Sequence, residues 1–287
     1  MTSGKFKKFL GKFFVYLGLI VYALWIVVPF IIIFLTSFKT WQETQTVDFY
    51  LFPQGKWSLE GYKYVFTWSV GTDDTPTMVR GLLNTLLYVI PPTIIGLFVS
   101  AIAAFAFAKL NFKGSKGLFG ILLLTMLIPG TIMTAPSYTI YNMIHWVDTP
   151  LPLMIPGMFG AAACVFFMKQ FYSGIPTDLI EAAKLDGLGY FSIFWRIMVP
   201  LSVPALFAQG ILGFIGGYND YFGPLIYLQD NDLLTLQIAL RMFNKYEWND
   251  TPAIMAGAVS AMIPTIIIYL VAQKYFVEGI ATSGMKL

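Results

Sequence analysis

The residue types that usually carry chemistry are few in this chain of 287 residues. Its single cysteine, Cys164, excludes a disulfide framework and a cysteine zinc site, and its single histidine, His145, leaves no histidine cluster to hold a metal. A phosphate-binding loop needs Gly-Lys followed by Ser or Thr, whereas the Gly-Lys pairs here are followed by Phe or Trp. We therefore expect no metal, no other cofactor and no ATP hydrolysis by this chain itself.

A charged segment between two apolar runs, residues 174–199, is the clearest candidate for recognition of another molecule. Pro176 precedes Asp178 and Glu181, whose three-residue separation is typical of a helix start, and Gly187 is a good helix terminator. The pattern predicts a short helix that lies outside the membrane and ends near Gly187.

Three residues of this short helix could receive a protein partner. Ala182 and Ala183 have methyl-sized side chains that let another surface approach the backbone, and Glu181 offers a charge to a cationic group. A second helical stretch is predicted over residues 190–198, and Pro200 opens the next apolar run at a first-turn position, where proline is tolerated. The alternative is that the whole segment is a solvated connector between two membrane helices.

Asp220 is the one charged residue well inside an apolar run, and a carboxylate there is costly enough to mark a functional candidate. Tyr218, Asn219 and Tyr221 surround it, and this mixture of polar groups and aromatic rings suits a sugar. The alternative is that Asp220 and Asn219 form hydrogen bonds to a neighbouring helix. Close helix approach would then occur at Gly210, Gly213, Gly216 and Gly217.

The elements that must position these residues are membrane helices. Hydrophobic residues make up 57% of the chain and charged residues 11%, whereas soluble domains carry about 25% charged residues. Each apolar run is near the length of about 20 residues that a helix needs to cross a bilayer. The six predicted spans are residues 13–38, 82–108, 117–141, 153–173, 200–228 and 253–276.

The distribution of Lys and Arg predicts the orientation of these spans. Twelve of the 18 basic residues fall on the side of the amino terminus and six on the other side, which places both termini in the cytoplasm. No linker separates two parts of the chain, so we expect residues 1–287 to form a single transmembrane domain.

The charged segment carries a recognisable signature. It resembles the EAA motif of ABC importer permeases, E-A-A-x3-G-x9-I-x-L-P, with Val in place of Leu as the one departure. The matching residues are Glu181, Ala182, Ala183, Gly187, Ile197, Val199 and Pro200.

The resemblance extends over nearly the whole chain and points to the MalG-like, carbohydrate-uptake branch of the binding-protein-dependent transport inner-membrane components. The segments that carry it, besides the EAA motif, are residues 29–39, 84–86, 104–112, 166–187, 218–228 and 273–286. The carboxyl end departs from the branch, because it closes Gly-Met-Lys-Leu where Ala-Val-Lys-Gly is common.

The resemblance implies an all-α integral membrane protein with the type I ABC importer permease fold and a location in the cytoplasmic (inner) membrane. It implies a heterodimer with a homologous second permease, two ABC ATPase subunits, an extracytoplasmic sugar-binding protein and a sugar substrate, with no role for nucleic acid. The loop at about residues 174–199 would then couple the ATPase to alternating access in the membrane. The residues implied in this coupling are Glu181, Ala182, Ala183, Leu185, Asp186 and Gly187.

Two other functions are open at this point. The same architecture serves polyols or glycerol phosphate, although a phosphorylated substrate would favour an Arg or Lys near the path, which a second permease could also supply. An ion-coupled secondary transporter would normally show internal repeats or several intramembrane ionisable groups, whereas Asp220 stands alone.

Overall fold

The computed structural model describes residues 3–246 and 250–284, and these residues form helices and connecting loops without strands. Side chains are described for residues 8–243 and 250–273. The helices are α1 (Ser3–Thr36), α2 (Trp41–Thr44), α3 (Glu60–Val65), α4 (Thr77–Lys109), α5 (Ser115–Thr125), α6 (Gly130–Met143), α7 (Leu151–Met158), α8 (Ala162–Ser173), α9 (Asp178–Leu185), α10 (Tyr190–Ile193), a π-helix (Phe194–Met198), α11 (Val199–Leu201), α12 (Val203–Tyr218), α13 (Phe222–Tyr227), α14 (Leu236–Tyr246) and α15 (Thr251–Gly284).

Four helical segments of the described chain are long and apolar enough to cross a membrane. They are Lys8–Thr36, Thr77–Lys109, Leu151–Ser173 and Thr251–Gln273, and they match four of the predicted spans. A fifth arises if the pair Tyr190–Leu201 and Val203–Tyr218, bent by 80°, counts as one span.

The third predicted span, residues 117–141, is divided into two helices in the structure. α5 ends at Thr125 and α6 begins at Gly130, with Pro129 in extended conformation at its N-cap. The residue before a proline is disfavoured in helical conformation, which explains a break at this point. The count of six spans therefore stays a prediction.

The chain divides into two compact units. The first comprises the described residues within Met1–Ser69, Pro76–Met78 and Leu240–Met262. Aromatic packing holds α14 against the segment after α3, since the Phe243 ring lies 5.2 Å from that of Trp68. A hydroxyl contact of 2.8 Å also joins Ser37 Oγ to the Tyr62 hydroxyl.

The second unit comprises the described residues within Val70–Thr75, Val79–Ala239 and Ile263–Leu287, and it contains both candidate sites. Its apolar core joins α4, α8, α9 and α12. The fully buried members of this core are Ala101, Ala104, Met168, Tyr172, Ile193 and Met198.

Glycines bring α12 against α4. A Cβ atom on Gly217 would lie 2.9 Å from the Val89 side chain, and Cβ atoms on Gly213 and Gly210 would lie 3.4 Å from side chains of α4. The predicted close approach is confirmed at these three glycines, whereas the space beside Gly216 is open. Small residues permit this type of close packing because they let the two helix backbones approach and make dispersion contacts.

The entry to α12 differs from the sequence prediction. Pro200 lies in the three-residue helix α11, which follows a π-helix of five residues, and α12 begins only after Ser202. The predicted single helical stretch over residues 190–198 is thus α-helical and then π-helical, and a bend of 80° separates it from α12. π-helical turns and kinks of this kind often occur at functional positions.

Candidate functional site

The short helix predicted in the charged segment is α9, which runs from Asp178 to Leu185. Its carboxyl end is a Schellman motif: Leu188 N donates to Ala183 O and Gly187 N donates to Lys184 O, both at 3.0 Å. Gly187 has φ +82°, a conformation that favours glycine, so its predicted role as terminator is confirmed. The N-cap is Thr177 without a side-chain cap, so the capping pattern expected from Asp178 and Glu181 is not formed.

The two faces of α9 have different environments. Ile180 and Ala183 are buried, whereas Glu181, Ala182 and Leu185 are exposed, Leu185 to 89%. The expectation that Ala183 faces a partner beside Ala182 is wrong, because successive residues of a helix lie about 100° apart and Ala183 points into the core. Ala182 is the small residue that α9 leaves open to another protein.

The buried face of α9 belongs to the same core as the membrane helices. Ile180 and Ala183 share that core with Met168 and Tyr172 of α8. The Tyr172 hydroxyl lies 3.3 Å from Ser202 Oγ, at the bend that leads into α12. Close-packed interiors transmit displacement, so a force on α9 would be carried to α8 and α12.

Two aromatic residues beyond α9 extend its exposed surface. Phe191 is exposed to 73%, and the exposed Tyr190 receives Lys184, whose Nζ lies 4.0 Å from the centre of the ring. Sequence reasoning did not select them, because Phe and Tyr in an apolar chain carry no signal of exposure. We define Glu181, Ala182, Leu185, Asp186, Gly187 and Phe191 as the coupling surface; all six are exposed.

Asp220 is placed in a tight turn between α12 and α13. Its Oδ1 accepts hydrogen bonds from Phe222 N at 3.1 Å and from Gly223 N at 3.2 Å. Gly223 has no room for a side chain, because a Cβ atom would lie 2.6 Å from Asp220 Oδ2. The carboxylate therefore caps the start of α13, a local role that differs from the predicted hydrogen bond to a neighbouring helix.

A cavity of about 270 Å³ lies beside this turn. Asp220 lines it together with Gln209, Ser100 and Tyr88, and glycines form much of the remaining wall. Thr235 also lines the cavity and is only 4% exposed, yet its Oγ1 has no hydrogen-bond partner within the described part of the chain. An unsatisfied buried hydroxyl costs about 1–3 kcal/mol.

The other three predicted path residues do not line this cavity. Tyr218 is buried and stacks on Phe214 at 5.5 Å. Asn219 donates to Ile215 O at 3.0 Å, and Tyr221 is half-buried at the start of α13. The structure thus brings Asp220 together with Tyr88 and Ser100, which are distant in sequence, rather than with the three polar and aromatic residues beside it.

Residues 96–282 match the family described as the binding-protein-dependent transport system inner membrane component. The match spans both the coupling loop and the cavity turn. The chain belongs to this family and is a permease subunit of an ABC importer. An ion-coupled secondary transporter is thereby excluded.

Curated relatives agree with this class. The chain is 33% identical to an arabinooligosaccharide transport system permease protein of Bacillus subtilis, over 72% of this chain and 73% of that protein. It is 30% identical to an sn-glycerol-3-phosphate transport system permease protein of Escherichia coli O1:K1, over 90% of this chain and 92% of that protein.

A solved structure shares the fold. It belongs to a bacterial ABC transporter involved in the import of the acidic polysaccharide alginate, and it superposes with a TM-score of 0.79 over 96% of this chain and 99% of that chain at 24% identity. The predicted all-α membrane permease fold is confirmed.

Proposed function

We propose that this permease subunit carries a sugar or oligosaccharide into the cell. The observation behind the substrate class is the cavity beside Asp220, whose lining offers hydroxyls, an amide and one carboxylate but neither Lys nor Arg. Neutral polar groups in a mostly apolar wall suit the hydroxyls of a sugar. The oligosaccharide relative supports the same class.

The coupling surface is the proposed contact with a separate ATPase. Its six residues are exposed, and the opposite face of α9 is packed into the core that includes α8 and α12. Closure of an ATPase dimer would push α9, and the shared core would tilt the membrane helices around the cavity. The permease would in this way use ATP without binding it.

The proposed assembly has a homologous second permease, two ATPase subunits and an extracytoplasmic sugar-binding protein. In it, residues 1–287 act as one transmembrane domain with both termini in the cytoplasm. The unusual last residues, 285–287, lie outside the described residues. Asp220 belongs to the proposed path within the membrane; Tyr218, Asn219 and Tyr221 would line it in another state of the cycle.

Glycerol phosphate or a polyol is the second candidate substrate, and the glycerol-3-phosphate relative favours it. A phosphate dianion would need a cationic group in this cavity, which its lining does not provide. Competition of unlabelled arabinooligosaccharide and glycerol 3-phosphate for uptake would separate the two substrates.

The coupling proposal is tested by affinity purification of the tagged chain from its host after gentle solubilisation. The intact chain should bring down an ABC ATPase and a second permease. A Glu181→Arg, Leu185→Glu variant should lose the ATPase and keep the second permease, because both substitutions change exposed side chains.

The matched control is Glu60→Arg, which repeats the charge reversal of Glu181→Arg at an exposed residue of α3. This control should retain the ATPase. Equal recovery of the ATPase with the intact chain and the α9 variant would overturn the coupling surface. If the intact chain were recovered without an ATPase and without a second permease, the proposed assembly would be overturned.

A further inference from the structure

A second cavity, of about 710 Å³, lies where α4 ends and α5 begins. Three lysines line it: Lys113 in the connecting loop, Lys116 in the first turn of α5 and Lys169 on α8. We call it the lysine cavity. It plays no part in the coupling surface or in the proposed sugar path.

The lysine cavity has an uncompensated positive charge. None of its lining residues is acidic, and within the described part of the chain none of its three lysines is paired with a carboxylate. The first turn of α5 also lacks acidic residues and has no side-chain cap, so no local carboxylate offsets the positive end of its helix dipole. Such a cavity attracts an anion with several oxygen acceptors.

An aromatic wall faces these charges. The Phe107 ring lies 5.4 Å from the Phe119 ring and 5.9 Å from the Phe112 ring, and Lys169 Nζ lies 4.3 Å from the centre of the Phe119 ring. The site is therefore amphipathic at the scale of one molecule. A ligand that suits it carries an anionic group joined to an apolar body.

The surface next to the cavity shows where the apolar body would lie. No residue of α5 is buried, and Leu118, Ile121 and Leu124 are each more than half exposed. This apolar helix face begins directly at the cavity. A free phosphate would use the lysines but not this face, whereas a phospholipid would use both.

The lysine cavity lies at the same end of the helices as the coupling loop, because Lys109, at the end of α4, donates a hydrogen bond to Ile175 O at the start of that loop. We propose that the lysine cavity binds the phosphate headgroup of an anionic phospholipid from the cytoplasmic leaflet, with the acyl chains along α5. The choice of leaflet rests on the proposed function, which places the coupling loop in the cytoplasm. Basic pockets between membrane helices on the cytoplasmic side hold anionic headgroups in this way.

A bound lipid would link the start of α5 to Lys169 of α8, the helix that leads into the coupling loop. Occupancy would thus hold α5 and α8 together at the end of the molecule on which the ATPase acts. The expected consequence is a transporter whose ATP-coupled uptake increases with the fraction of anionic lipid.

The test measures lipid binding to the purified full transporter directly, without reference to transport. The complex is exchanged into mixed micelles that contain equal amounts of phosphatidylglycerol and phosphatidylcholine, and retained lipid is counted by native mass spectrometry. The intact complex should retain phosphatidylglycerol in preference. Lys113→Gln with Lys116→Gln should lower retained phosphatidylglycerol by up to about thirtyfold, since each lysine near a headgroup contributes about 1 kcal/mol and about 1.4 kcal/mol is a factor of ten.

Matched variants control for charge and folding. Lys8→Gln with Lys12→Gln removes the same charge near the same proposed membrane face and should leave retention within about twofold of the intact complex. Lys169→Gln should reduce retention and Lys169→Arg should retain it, because the guanidinium keeps the charge and can also lie over the Phe119 ring.

Two outcomes would overturn the proposal. One is equal loss of phosphatidylglycerol from the cavity variant and the Lys8, Lys12 control, which would show only diffuse attraction to anionic lipid. The other is displacement of the retained lipid by inorganic phosphate at the concentration at which phosphatidylglycerol itself displaces it, which would assign the cavity to a soluble phosphate. Neither outcome depends on whether the ATPase binds α9, so failure here and failure of the coupling surface are distinct results.

Discussion

Two carboxylates, on α9 and in the turn before α13, show how differently the same group can be used. The Glu181 side chain is exposed and its carboxylate has no hydrogen bond or ion pair within the described part of the chain, whereas the Asp220 carboxylate accepts two backbone hydrogen bonds in a tight turn. A carboxylate without an internal partner can pair with a group on another protein without breaking a contact of its own chain. One that already caps a helix must keep that role while it contacts a substrate.

The largest effect should separate the two alanines beside Glu181. Ala183→Trp places a large ring in the core and should destabilise the chain by about 3 kcal/mol. Ala182→Trp changes an exposed residue, so it should leave stability unchanged but prevent binding of the ATPase. Thermal unfolding in detergent and affinity purification report the two properties. If Ala182→Trp retains the ATPase, the exposed face of α9 is not the contact.

A smaller effect should come from the capping carboxylate. Asp220→Ala removes both hydrogen bonds and should cost about 1 kcal/mol, with impaired uptake and an intact assembly, while Asp220→Asn keeps an acceptor and should keep the stability. Uptake by the Asn variant decides the comparison. Normal uptake would reduce Asp220 to a cap, and loss of assembly in the Ala variant would show a packing role.

Substitution of Thr235 should lower sugar uptake without lowering stability. Thr235→Val keeps the shape and removes a buried hydroxyl that lacks a partner in the described structure, so stability should stay equal or rise by up to about 1 kcal/mol. Sugar uptake should fall if that hydroxyl serves the substrate. An unchanged apparent affinity for the substrate would remove Thr235 from the path.

The smallest effect concerns a third kind of carboxylate, one that faces a cation. Hydrogen bonds from Thr72, with the nearby Arg80 guanidinium, hold the pKa of the half-buried Asp232 below its ordinary value. A lowered pKa in the folded state stabilises the protein above the ordinary carboxyl pKa of about 4, and that contribution disappears as the pH falls through the lowered value.

The melting temperature of the intact chain should therefore fall slightly more between pH 6 and pH 3 than that of Asp232→Asn. Because both Thr72 and Arg80 remain in this variant, the difference reports the Asp232 charge alone. An identical pH dependence in the two proteins would show that these contacts contribute nothing measurable.

The sequence predicted features that depend on local chemistry. Gly187 could be identified as a helix terminator because only its own backbone conformation is needed, and Glu181 could be expected on the surface because burial of unpaired charge is costly. The burial of Ala183 could not be predicted in this way, since either face of so short a helix can turn toward the core. Thr235 was missed for a related reason: only the packed structure shows that its hydroxyl is buried beside a cavity.

The π-helix at Phe194–Met198 has a consequence for the motion of this permease. A π turn holds about one residue more than an α turn, so its conversion to α-helix would shift the backbone register by one position. That slip would rotate every residue of a rigidly attached helix by about 100° about its axis. Because the π turn stands between α9 and α12, such a conversion would let a displacement of α9 turn a different face of α12 to the membrane interior.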